Sequence, residues 1–107
     1  MGRHSRTKGV AWERKVASIL REHGFDAKRT FGQYRKGDED PDVVTPNLWV
    51  ECKRGKSIAY EKAIDQAIGD SEGSGLIPIV ICKKDHKEPL VILRLSDFLE
   101  HGSKFGG

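Results

Sequence analysis

Long apolar runs are missing from this 107-residue chain. The longest candidate, Leu76 to Cys82, is interrupted by Pro78 and falls far short of the roughly 20 apolar residues that cross a bilayer, so no membrane span is expected. Aromatic residues are sparse, at 7% with two Trp, two Tyr and four Phe; the length of 107 residues, 36% of them hydrophobic, leads one small soluble domain to be expected rather than a multidomain enzyme. The first fifteen residues are basic and polar with no apolar stretch behind them, so no secretory leader is expected. Cysteine is nearly absent as well. Cys52 and Cys82 stand thirty residues apart inside strand-like apolar runs, which argues against a disulfide scaffold or a zinc knuckle and reads as a chain of the reducing cytoplasm. Neither an internal repeat nor a low-complexity tract is visible.

What the chain has in quantity is charge, 33% of its residues, unevenly placed behind a modest net value of +3. Residues 1–36 carry ten Lys or Arg against three acids, a balance of +7, whereas the remaining 71 residues carry nine against thirteen, a balance of −4. A cationic first third followed by an acidic cluster points to a polyanion-binding surface beside something that needs carboxylates. On charge alone, a solvated basic tail is an equally good reading.

Residues 1–8 have no periodicity and read as a flexible basic arm, ahead of a single domain over 9–107. From Gly9 to His23 the spacing of Trp12, Val16, Ile19 and Leu20 predicts a helix, and Gly24 supplies its left-handed stop. Phe25 to Thr30 is expected as a short strand. The polar stretch Phe31 to Asp40 is expected as a loop. Asp42 to Thr45 and Leu48 to Lys53 read as two strands joined at Pro46-Asn47, residues suited to the centre of a turn. Ser57 to Ile68 reads as a second helix, ended by the glycine-rich run Gly69 to Gly75. Ile77 to Cys82 and Leu90 to Leu93 complete the strands, and Ser96 is placed to cap a last short helix through Glu100.

The chemistry concentrates in the middle strands. Side chains two apart share a strand face, so Glu51 and Lys53 point together while Val50 and Cys52 point the other way. If Pro46-Asn47 sets a two-residue hairpin, paired residue numbers sum to 93 and Asp42 falls opposite Glu51, with Cβ atoms roughly 4.5–5.5 Å apart. A slip of one residue would move Asp42 to the other face. Opposed acids are destabilising without a cation between them, and oxygen-only ligands with open positions suit Mg²⁺, or Mn²⁺ in its place, better than zinc. A phosphate ester is then the natural substrate. Lys53 is placed to orient a water or offset charge growing on phosphorus. Glu13, at the border of the first helix's apolar stripe, is a candidate for a further ligand. Asp38, Glu39 and Asp40 are candidates to assist a second metal, although a solvated loop is the preferred reading. His23, His86 and His101 lack partners at metal-ligand spacing, and Trp12 and Trp49 read as core aromatics.

Several of these segments, in order, resemble the PD-(D/E)xK nuclease superfamily, and within it the archaeal-type Holliday junction resolvases and related phage endonucleases. Arg6-Thr7-Lys8-Gly9, Glu13-Arg14, His23-Gly24-Phe25 and Arg29-Thr30 are similar to the N-terminal signature of those resolvases. Pro41-Asp42 and Glu51-Cys52-Lys53 match the metal motif, and Gly75 to Val80 matches the strand after the second helix. Thr30-Phe31-Gly32-Gln33 departs from the pattern, standing where these resolvases usually place a serine.

The resemblance implies an α/β, restriction-endonuclease-like core, a mixed central sheet flanked by helices, and Mg²⁺-dependent hydrolysis of DNA phosphodiesters. It carries Glu13, Asp42, Glu51 and Lys53 over as catalytic residues and the Cys52 carbonyl as an extra metal ligand. Gln66 falls on the helix where some relatives place a polar supporting residue. Phosphate contacts are expected from Arg3, Arg6, Lys8, Arg29, Thr30, Arg35, Lys36, Arg54 and Lys56. A branched substrate such as a four-way junction needs two cuts, which implies a homodimer, working in the host cytoplasm for a phage-encoded protein. Two alternatives remain open at this level: a phage or restriction-type nuclease acting on duplex or single-stranded DNA, and a DNA-binding module without catalysis.

Overall fold

The computed structural model describes the backbone of residues 3–30 and 40–104 and the side chains of 9–30 and 40–103. The first helix, α1, spans Arg3–Glu22. It therefore starts six residues earlier than expected, and part of the stretch read as a flexible arm is helical. That stretch contains no proline, and Gly9 costs only about 1 kcal/mol in a helix interior, which propagation from an anchored turn offsets. The anchor is apolar: Trp12, Val16 and Ala17 are buried, with Leu20 packed beside them. The Trp12 indole donates a hydrogen bond to the Ile81 carbonyl at 3.1 Å, across 69 residues of sequence. Gly24, at φ +93°, ends the helix as expected. Phe25 N–H bonds back to the Leu20 carbonyl at 3.0 Å and Gly24 N–H to that of Arg21 at 3.1 Å, the paired bonds of a Schellman stop.

Five strands form one sheet in the order β1 (Lys28–Arg29), β2 (Val43–Val44), β3 (Leu48–Gly55), β4 (Ile77–Lys84) and β5 (Leu90–Ile92). Only β3 and β4 run parallel, joined by the crossover helix α2 (Tyr60–Ser71). A final helix, α3 (Leu95–His101), runs into a short 3₁₀ turn at Gly102–Lys104. Two-residue alternation sorts the sheet into faces. Leu48, Val50, Ile77, Ile79 and Ile81 pack with α1, whereas Val80 and Cys82 pack with Ala63 and Ala67 of α2.

The hairpin between β2 and β3 has the expected register, Val43 against Val50 and Val44 against Trp49. The buried Thr45 explains why Pro46-Asn47 serves as the turn. Its hydroxyl accepts the N–H of Asn47 at 3.2 Å and of Leu48 at 3.0 Å, while its own N–H reaches the Leu48 carbonyl at 3.2 Å.

Boundaries differ elsewhere. The strands β1 and β2 are shorter than expected, and β3 and β4 run two residues longer. Helix α2 starts at Tyr60 and runs through Gly69, because the buried Ala67 and Ser71 lie one turn apart and keep the helix seated. Gly73 and Gly75, at φ +82° and +79°, turn the chain instead. Ser96 does not cap α3. Arg94 precedes that helix, and its Nε bonds Asp97 at 2.9 Å.

Replacing Trp12 by Phe keeps the apolar ring but removes the indole donor, so the variant should lose about 1–3 kcal/mol of stability. Urea denaturation checks this directly, and an unchanged midpoint would mean the bond to Ile81 carries no net stabilisation.

Candidate active site

Asp42 lies one residue outside β2, where three backbone-level bonds pin it. Its N–H donates to the Val50 carbonyl at 3.0 Å, and its carbonyl accepts the Thr30 N–H at 3.2 Å. Its carboxylate accepts the Cys52 N–H at 2.8 Å. The preceding Pro41 is fully buried, and its carbonyl accepts the Thr30 hydroxyl. Proline's fixed φ and missing N–H suit a residue whose only backbone bond is made through its oxygen. With the β2–β3 register continued one step, Asp42 comes to Glu51, the two carboxyl groups lying within hydrogen-bonding reach of each other.

Glu51 is 6% exposed. Trp49, two residues earlier on the same strand face, donates its indole N–H to Glu51 Oε2 at 2.9 Å. Burial pushes the Glu51 carboxyl up to about 8, and the Asp42 charge adds to the rise, against the Trp49 bond and the Lys53 ammonium. Asp42 is also raised, first by burial, against the Cys52 N–H and Lys53. Lys53 is half-buried on the Glu51 face of the strand. It is the cation of β3 that opposes both acids.

Glu13 stands on α1 with its carboxylate 3.3 Å from Arg29 Nη2. Burial and then the Asp42 charge raise its carboxyl, and Arg29 counteracts them. The Cys52 thiol is raised by burial first and then by the charges of Asp42, Glu13 and Glu51, so it stays protonated. Among the described residues, no three His, Cys, Asp or Glu side chains converge as a ready-made metal-binding set. The tight unit is the Asp42–Glu51 pair, with Glu13 beside it and engaged by Arg29.

The donor set nonetheless fits a hard divalent cation. Two buried carboxylates whose proton affinities are both raised mark a place short of positive charge, and one or two carboxylates completed by water and a phosphate oxygen are what Mg²⁺ takes.

The remaining sequence candidates divide. Arg29 and Thr30, expected at phosphates, are engaged inside the site's framework with Glu13 and Pro41. Arg54 lies 3.7 Å from Asp85, and Lys56 is exposed just beyond β3. Arg35, Lys36, Asp38 and Glu39 lie outside the described residues, as do the side chains of Arg3, Arg6 and Lys8. Asp40 is half-buried. His23 Nδ1 lies 3.2 Å from the Ile19 carbonyl at the end of α1, a capping role. His86 occupies an exposed turn at φ +63°, and His101 is 3.7 Å from Glu100. Trp12 and Trp49 are both buried, as expected of core aromatics. What residue-by-residue reading missed is the second task of Trp49. The signal was its i, i+2 spacing from Glu51, which on a strand puts donor and acceptor on one face. Gln66 lines a cleft of about 240 Å³ with Lys53, Arg54 and Lys62.

The family model described as "Phage putative PDDEXK endonuclease" matches residues 4–105. A comparison with curated proteins finds no match. Among solved structures, the chain is similar to Hjc, a Holliday junction resolvase from the archaeal hyperthermophile Archaeoglobus fulgidus. The two share 26% identity at a TM-score of 0.60, over 78% of this chain and 73% of that one. The mixed sheet with its helices is thus a restriction-endonuclease-like fold.

The raised Glu51 carboxyl has a stability signature. The folded protein holds this proton up to about pH 8, whereas an ordinary glutamate gives it up near 4.5, so its contribution to stability is full below pH 4.5 and is lost as pH rises to about 8. In metal-free buffer, Glu51→Gln should therefore gain stability relative to the parent between pH 5 and 8, by about 2–4 kcal/mol. Chemical denaturation of both proteins across that range measures it, and a pH-independent difference would contradict the raised value.

Proposed function

Since the chain belongs to the phage PDDEXK endonuclease family and is a nuclease of that type, we propose that it is a divalent-metal-dependent endodeoxyribonuclease that nicks branched DNA at four-way junctions. One observation carries the proposal. Asp42 and Glu51 meet at the end of a hairpin despite the electrostatic cost, with Lys53 on the face of Glu51. Junction preference draws on the likeness to a Holliday junction resolvase.

Asp42 and Glu51 would hold Mg²⁺ or Mn²⁺, with the Cys52 carbonyl as a further oxygen ligand and Glu13 reaching the same water shell. When bound, the ion would lower the pKa of a coordinated water and offset charge on the phosphate. In this proposal, the Lys53 ammonium faces the non-bridging phosphate oxygens and stabilises charge as water adds to phosphorus and the sugar oxygen departs with a proton. The Trp49 indole holds Glu51 in one rotamer, and the Cys52 N–H does the same for Asp42. Arg29 acts on Glu13 and so sets how far that carboxylate leans toward Asp42.

A four-way junction has two equivalent strands to cut, so the proposal includes a twofold homodimer. Leu90, Val91, Leu95, Phe98 and Leu99 are each at least half exposed, and large apolar side chains left exposed are what an interface between copies would cover. In this proposal that surface meets its copy. The substitution Leu99→Asp should shift the protein from dimer to monomer in light scattering after gel filtration, and a parent that is already monomeric would exclude the dimer.

Cleavage of a labelled four-way junction and a matched linear duplex, with Mg²⁺ or EDTA, tests the chemistry. The parent should cut the junction symmetrically only with metal. Glu51→Gln, Asp42→Asn and Lys53→Met should each slow cutting by about 10²-fold or more while still binding the junction. Equal cutting of both DNAs would overturn the junction preference. Binding without cutting, unchanged by Glu51→Gln, would overturn the proposed chemistry.

A further inference from the structure

On the α1 side of the sheet, Arg54 of β3 and Lys83 of β4 are direct partners in the parallel register, so two cations leave adjacent strands on the same face. Like charges placed this way are destabilising. Lys15 of α1 joins them around a cleft of about 310 Å³ whose other lining residues are Ala11 and Trp12. Packing explains the two apolar residues, since Trp12 anchors the helix, but it does not explain three cations at one opening. Asp85, 3.7 Å from Arg54, offsets one of the three charges. Lys83 Nζ makes a long bond of 3.4 Å to the Lys84 carbonyl, which leaves its charge uncancelled. Arg54 also borders the neighbouring cleft with Lys53 and Lys62. The cationic strip therefore continues from α1, over the ends of β3 and β4, to α2.

We propose that Lys15, Arg54 and Lys83 form a phosphate-binding site for the DNA backbone, extended toward α2 by Lys62. This rests on the reading of the carboxylate site as a DNA nuclease. Arg54 lies three residues beyond Glu51 on β3, an odd step, so its side chain leaves the sheet on the α1 face while that of Glu51 leaves on the other. The strip thus grips the backbone at the end of the strand, beyond the phosphate held at Asp42 and Glu51. It reads no sequence, because phosphate contacts set position and register only.

The test is binding of a fluorescently labelled duplex in EDTA over a series of salt concentrations, for the parent, Lys15→Ala, Lys83→Ala and the double variant. Each single variant should weaken binding several-fold and reduce the slope of log K against log salt by about 0.9, and the double variant by about twice that. Lys87→Ala, in the turn after β4, should match the parent. Single-turnover cleavage by Lys87→Ala should keep the parent's rate, since that residue belongs to neither the carboxylate site nor the strip. If the parent binds and cuts DNA while Lys15→Ala and Lys83→Ala keep its affinity and salt slope, the phosphate site is wrong and the nuclease reading stands. A parent that binds no DNA at any salt would overturn that reading, and this site with it.

Discussion

The hydrogen bond from the Cys52 N–H to the Asp42 carboxylate is the contact on which the site depends. The antiparallel ladder of β2 has two paired residues; the Asp42 N–H still reaches the Val50 carbonyl beyond it, and the next rung falls at the Cys52 N–H. Asp42 supplies that rung with its side chain, which holds the register one step further and brings its carboxylate to Glu51. Everything around it enforces the same placement: Pro41 buried behind, Thr30 bonded to both Pro41 and Asp42, and the Thr45 turn fixing the hairpin from the other end. A shift of one residue would send Asp42 to the opposite face.

That placement is electrostatically expensive. Burial raises Glu13, Asp42 and Glu51 together, and each of these acids feels at least one of the others. The protein counters with donors rather than with full neutralisation: an indole on Glu51, a backbone N–H on Asp42, a guanidinium on Glu13. Neutral donors orient a carboxylate without cancelling its charge, so the pair keeps its appetite for a cation. The opposite imbalance stands at the end of the same strand, on the other face of the sheet, where Arg54 and Lys83 are neighbours. One strand thus carries a deficit of positive charge at its middle and an excess at its end. A nucleic acid backbone approached by a metal ion would satisfy both.

Much of this was legible in the residues. Alternation in Leu48 to Lys53, the Pro46-Asn47 turn and the arithmetic of the hairpin put Asp42 against Glu51 before any coordinates. The glycine at position 24 marked the end of α1. Less legible were the boundaries. Residues 3–8 lack an apolar stripe, and only continuity with a docked helix makes them helical. Gly69 reads as a helix breaker in isolation, yet Ala67 and Ser71 carry the helix through it by burial. Arg29 and Thr30 are expected at phosphates from the sequence; that β1 lies beside β2, with Arg29 bonded to Glu13 and Thr30 to Pro41, was not legible there.

Local order and strand register followed from the sequence alone, since they rest on side-chain period, turn stereochemistry and the burial of short apolar runs, all of which act between near neighbours. The family motif, Pro41-Asp42 with Glu51-Cys52-Lys53, was likewise readable in the chain. Only the tertiary structure decided how these carboxylates are partnered and which cations crowd together. Trp12 reaches Ile81 across 69 residues, and Arg54 meets Lys83 across a parallel crossover. Contacts of that kind depend on the packing of whole elements, and no local pattern of residues encodes their geometry.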